Sequence, residues 1–145
     1  MYKVMLFLHV VGAVGMGIYA ILPFIVGKFK QLSGAAQEGF ASGLVSAGRY
    51  GQYALVIQLL TGGYLISNGE AGDYAVSWMV TIIVLFVAIG ALAGMAQGPL
   101  KRIVKASANA ENASGSITKM QTFSALIFIL FILIIWFMKN PWFAA

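Results

Sequence analysis

Long, almost uncharged stretches separated by short polar connections dominate the chain. Four runs, about residues 4–27, 41–67, 75–98 and 118–139, carry most of the apolar side chains. A run of about 18 or more apolar residues can cross roughly 30 Å of hydrocarbon as a helix. In lipid the backbone must pair its own polar groups, which favours helices, and these runs lack the period-two alternation of barrel strands. The pattern predicts an all-α integral membrane protein: one domain, a bundle of four transmembrane helices.

The first run places its residues unevenly around a helix. At 100° per residue, Met5, His9, Gly12, Ala13, Met16, Ala20 and Pro23 share one face, while Phe7, Val14, Ile18, Ile21 and Ile25 share the opposite one. The first face is small and soft, so a helix or a flat cofactor can come close to it. The second run carries Arg49, Gln52 and Gly63 on one side and Ala47, Gly51, Ala54, Gln58 and Gly62 on the other. Small or polar residues on two sides predict a helix contacted by protein on both. The third run repeats glycine at Gly90, Gly94 and Gly98, a close-packing stripe that makes a homodimer an expectation. The fourth is bulky all round and reads as the most lipid-exposed.

Composition and charge turn this pattern into an orientation. The chain of 145 residues is 61% apolar, with nine basic and four acidic side chains and a net charge of +5. Lys28, Lys30, Lys101, Arg102, Lys105 and Lys119 fall on one side of the predicted bundle, against Lys3, Lys139 and the acidic turn 68–73 on the other. By the positive-inside rule both termini lie outside. Trp78, Trp136 and Trp142 then form an outer aromatic belt with Tyr2, Tyr64 and Tyr74. The same rule accounts for the basic excess without a nucleic-acid partner. The first run is too long for a signal-peptide core and reads as a retained span. The expected location is the plasma (cytoplasmic) membrane, as a multi-pass protein. Residues 101–119, polar and rich in small side chains, read either as a flexible connection or as a helical extension at the inner surface.

Candidate chemistry is sparse. Without cysteine, disulfides, thiolate metal sites and thiol catalysis are excluded. No acid pair lies inside a run, and neither a serine–histidine–aspartate arrangement nor a phosphate loop can be assembled, which argues against hydrolysis. A haem-linked redox role stays open. His9, the single histidine, sits about 8 Å inside the first span, at 1.5 Å per residue. An ionisable residue at such depth is either a ligand or a neutral imidazole bonded to a neighbouring helix. Met5, Met79 and Met138 fall at similar depth, and sulfur with imidazole suits copper(I) or haem iron, although methionine also fills gaps in cores. Arg49 has no acidic partner in any span. It either snorkels to the inner interface or meets an anion such as a haem propionate or lipid phosphate.

His9 followed by Gly12, Leu22-Pro23 near the end of the span, and Arg49 in the second span together resemble a group of small four-helix membrane proteins. That group comprises the copper-resistance D-type domain and the J-type protoporphyrinogen oxidase. The resemblance covers mainly residues 4–27 and weakly 41–67, and implies His9 as an axial haem ligand. The chain departs from the group at Phe24, where arginine is expected, and in having no second histidine. Three functional expectations follow. The first is b-type haem binding, for electron transfer or haem handling, with His9, Gly12, Met16 and Arg49 around the cofactor. The second is copper(I) binding or transport through His9, Met5 and Met79 or Met138. The third is a non-catalytic bundle that binds lipid or a partner membrane protein.

Overall fold

The computed structural model describes residues 1–68 and 74–143, so the acidic part of the 68–73 turn lies outside the described residues. The order of elements is α1 (Tyr2–Gly15), α2 (Ile18–Val26), a 3-10 turn (Gly27–Gln31), α3 (Gly34–Asn68), α4 (Val76–Ala108) and α5 (Ser114–Lys139). The described residues are helical throughout, apart from connections and one isolated bridge between Tyr74 and Phe143.

The first predicted span is a broken rod rather than one helix. Around Gly15-Met16-Gly17 the hydrogen bonds tighten to three-residue spacing, with Gly17 N–H on the Val14 carbonyl at 2.9 Å and Tyr19 N–H on the Met16 carbonyl at 3.0 Å. A Cβ at Gly17 would stand 2.9 Å from the Val14 carbonyl oxygen, so this turn needs glycine. Pro23, inside α2, has no N–H to continue the ladder. The break lets the two halves of the rod choose different partners: α1 packs on α3, and α2 on α5.

The remaining helices run antiparallel, α3 against α4 and α4 against α5. Tyr2 of α1, Ser67 of α3, Tyr74 before α4 and Met138 of α5 therefore share one end of the bundle, here called the aromatic end. Lys28, Lys30, Lys101, Arg102, Lys105 and Lys119 share the other, the basic end. At the aromatic end Trp78 donates its indole N–H to the Phe137 carbonyl in the last turn of α5 at 2.8 Å, and Trp142 donates to Ser77 Oγ at 2.8 Å. The basic end is tied by Ser107, whose hydroxyl donates to Gln37 Oε1 at 2.8 Å.

Residues 101–119 are mostly helical rather than a flexible connection. Helix α4 continues to Ala108, and a short turn leads into α5. That turn closes with Glu111 N–H on the Ala106 carbonyl at 2.8 Å, which places Ala110 at φ 54°, a position usually given to glycine.

Three helical segments are long and apolar enough to cross a membrane: Tyr2–Gln31, Val76–Ala108 and Ser114–Lys139. Helix α3 has the length, with 35 residues, but Arg49, Gln52, Gln58, Thr61 and its many small residues dilute its hydropathy. The Gly90, Gly94, Gly98 stripe is not what holds this bundle together. A Cβ at Gly90 or Gly98 would meet nothing within 4 Å among the described residues, and at Gly94 only the Gln52 amide at 3.8 Å. The close approach lies elsewhere, between α1 and α3.

Candidate functional site

Glycine on both helices brings α1 against α3. A Cβ at Gly15 would meet that of Ala54 at 2.9 Å and one at Gly12 would lie 3.1 Å from Gln58 Oε1, while further along one at Gly51 would meet the Tyr19 hydroxyl of α2 at 2.8 Å. At Gly62 the obstacle would be His9 itself, with Cε1 at 3.2 Å. Small residues let membrane helices pack backbone to backbone where no hydrophobic drive operates. Here they also let the short arm of His9 reach α3.

The imidazole is anchored by one nitrogen. His9 Nδ1 lies 2.8 Å from Thr61 Oγ1. The Thr61 hydroxyl gives its own proton to the Ile57 carbonyl one turn back, at 2.6 Å. The threonine oxygen therefore accepts, Nδ1 carries the ring proton, and Nε2 keeps a bare lone pair. Nε2 has no hydrogen-bond partner among the described residues. Such a tautomer, fixed through Nδ1 by an oxygen acceptor, is the usual preparation of a histidine ligand.

Two cavities meet at this ring. One, of about 540 Å³, lies between α1, α3 and α4 and is lined by Gly62, Trp78, Met79 and Ile82 among others. The second, of about 510 Å³, lies in the gap that the broken rod leaves between α1 and α5, and includes Ala13, Met16, Phe131 and Lys139. His9, Gln58, Phe86 and Met138 line both, one side chain from each of α1, α3, α4 and α5. Gln58 is 5% exposed, and its Oε1 has no hydrogen-bond partner among the described residues. An unpaired amide oxygen in an apolar interior costs about 1–3 kcal/mol, so its place beside two cavities calls for an explanation.

The sequence-derived candidates divide on this geometry. His9 lines both cavities, Met16 and Met138 stand on cavity walls and Met79 on the wall of the first, whereas Gly12 lines neither because Gln58 and Ile57 of α3 close over it. Met5 is half-buried but lines neither cavity. Arg49 is exposed, lines neither cavity, and lies nine residues along α3 from Gln58, about 13 Å at helical rise. The structure does not bring it to His9. Lys139 is the cation on the wall of a cavity that His9 also lines. Sequence reasoning overlooked Thr61, Gln58 and Lys139 as site residues. A signal for the first two was present in Gln58-Leu-Leu-Thr61-Gly62, where polar and small residues interrupt an apolar run at one-turn spacing.

No group of three or more His, Asp or Glu side chains occurs among the described residues. A metal at His9 would thus be held by sulfur or arrive inside an organic cofactor. The chain matches no family model, no curated protein and no solved structure.

Proposed function

We propose that this chain is a four-span membrane protein that binds b-type haem through His9 Nε2, in electron transfer or haem handling. The observation that carries the reading is the imidazole anchored through Nδ1 to Thr61 with Nε2 free beside two cavities. Size favours an organic cofactor over a bare ion, since each cavity falls in the range of about 300–1,000 Å³ typical of small-molecule sites. Gly62, on the wall of the first cavity beside the His9 ring, leaves that side thin enough for a flat macrocycle. Met138, on a facing helix and common to both cavities, would be a second side chain able to hold the cofactor. Lys139 takes the role of propionate partner for which Arg49 was a candidate. When bound, haem would supply a one-electron couple whose potential follows its axial ligands and burial. The chain's part is to hold the ring nitrogen deprotonated and to keep water out with Phe86, Trp78 and Phe131.

The same reading makes α3 the fourth span. It lies between α1 and α4 and turns Tyr53, Val56 and Leu60 outward at 63%, 56% and 69% exposure, an apolar face suited to lipid. With four spans both termini share one side, and the six basic residues of the opposite end place that side outside. In haem titrations of the purified protein, the wild type should develop a Soret band at one equivalent. His9→Ala should lose it, and Met138→Leu should keep haem with an altered spectrum. Wild-type protein that stays colourless, or a band indifferent to His9→Ala, would reject the proposal.

A second reading has support in two sulfurs. Met79 and Met138 share a cavity with His9, a soft ligand set for copper(I) in the absence of cysteine. Copper retention after loading separates the two. Loss in both His9→Ala and Met79→Leu/Met138→Leu would favour copper. Equal retention in all three proteins would remove these side chains from consideration.

A further inference from the structure

At the basic end a third cavity, about 490 Å³, opens between α4 and α5. Its α4 wall is Met95, Gly98, Pro99 and Arg102, and Lys119 and Phe123 stand among the α5 residues opposite. Gly98 makes the room, since a Cβ there would meet nothing within 4 Å. Arg102 and Lys119 are both exposed and stand on opposite walls. Glu38 and Glu111 are the acids of this end among the described residues, and neither lines the groove. Two cations facing one space without a carboxylate repel each other, and an anion between them turns that repulsion into attraction.

The depth of the groove decides what kind of anion. Helix α4 has 33 residues, about 50 Å, against a hydrocarbon core of roughly 30 Å, so its last turns extend into the headgroup layer. Arg102 belongs to those turns, and Lys119 to the second turn of α5. Met95 and Phe123 continue the groove towards the apolar middle of the bundle, and Met95 is 58% exposed. The trough is therefore amphiphilic along its length, cationic at the interface and apolar below it. We propose that it holds one acidic phospholipid, the phosphate between Arg102 and Lys119 and an acyl chain along Met95 and Phe123. Basic pockets between membrane helices take headgroups of this class, and the planar guanidinium suits a phosphate's paired oxygens.

The test is native mass spectrometry of the full chain released from bilayers mixing phosphatidylglycerol with phosphatidylcholine. Wild type should retain one phosphatidylglycerol in preference to phosphatidylcholine. Arg102→Gln/Lys119→Gln should bind it about thirtyfold more weakly, from two basic residues near the surface. Two controls guard the assignment. Lys101→Gln/Lys105→Gln removes the same charge outside the groove and should keep the lipid, as should the charge-preserving Arg102→Lys/Lys119→Arg. The proposal falls if the groove variant retains lipid like wild type, or if the outside variant loses as much. It falls equally if excess inorganic phosphate displaces the lipid, or if the groove variant loses a dimer rather than a lipid, which would give the groove to a second copy of the chain.

Discussion

Val26, Phe29, Ala41, Ile103 and Met120 close the basic end of the bundle, each at 0–1% exposure. At the tip of this end the Gln37 amide donates to the Phe29 and Leu32 carbonyls at 3.3 and 3.2 Å and its oxygen accepts from Ser107, while deeper in this half Gln97 Oε1 has no partner among the described residues. The aromatic half is built the other way. It keeps two cavities, an unpaired Gln58 oxygen and a free imidazole nitrogen, under a cap made of Tyr74, Trp78 and Phe143 stacked 4.7 and 5.3 Å apart. Unpaired buried oxygens also occur outside the aromatic half, at Tyr19 and Gln97, so what sets that half apart is two cavities converging on one imidazole.

The largest way to break this contrast is at the packed end. Phe29→Ala removes a ring seated edge-on to Phe40 at 4.9 Å and should cost about 3–5 kcal/mol in reversible unfolding from mixed micelles. Val10→Ala, at 54% exposure on a cavity wall, should cost well under half of that. Equal losses would mean that the two ends are packed alike.

Next comes the α1–α3 contact. Gly15→Val must push against the Ala54 methyl group and should cost about 1–3 kcal/mol, while Gly90→Val, facing open space, should leave thermal stability unchanged. The reverse order would return the close-packing role to the α4 stripe. At the α4–α5 turn, Ala110→Gly should raise stability by about 1 kcal/mol by relieving the left-handed conformation, without moving any ligand affinity. A changed affinity would show that the two ends are coupled.

The smallest stability effect should carry the most information. Thr61→Val takes the acceptor from His9 Nδ1, and a membrane hydrogen bond averages only about 0.6 kcal/mol. Losing the group that orients a histidine ligand should nonetheless weaken ligand binding by about 10–100-fold. Haem affinity unchanged in Thr61→Val would deny Thr61 its orienting role.

How much of this could be seen in the chain itself depends on the range of each interaction. Helices follow from local hydropathy and were legible, as was the two-sided character of α3, from its polar and small residues. The apolar face of the first span was legible only in part: Phe7, Val14 and Ile21 are exposed at 64%, 76% and 52%, while Ile18 and Ile25 pack against the core. The break at Gly15-Met16-Gly17 was not, because a shift to three-residue hydrogen bonds leaves no mark on a hydropathy pattern. Nor could the pattern say which glycines would be covered. Gly90 and Gly94 form the tidier motif, yet what makes a glycine matter is the helix that comes to lie on it, and α1 lies on α3 rather than α4. The partner of His9 is 52 residues away, and only the fold brings the two together.

The central claim is the state of one ring. Because His9 is the only histidine, uniform labelling of histidine with nitrogen-15 yields one pair of ring resonances from the whole protein in bilayers. The account predicts a neutral imidazole protonated at Nδ1, with an unprotonated Nε2 whose resonance alone shifts or broadens first when haem is added. A proton found on Nε2, or both resonances unmoved at saturating haem, would contradict it.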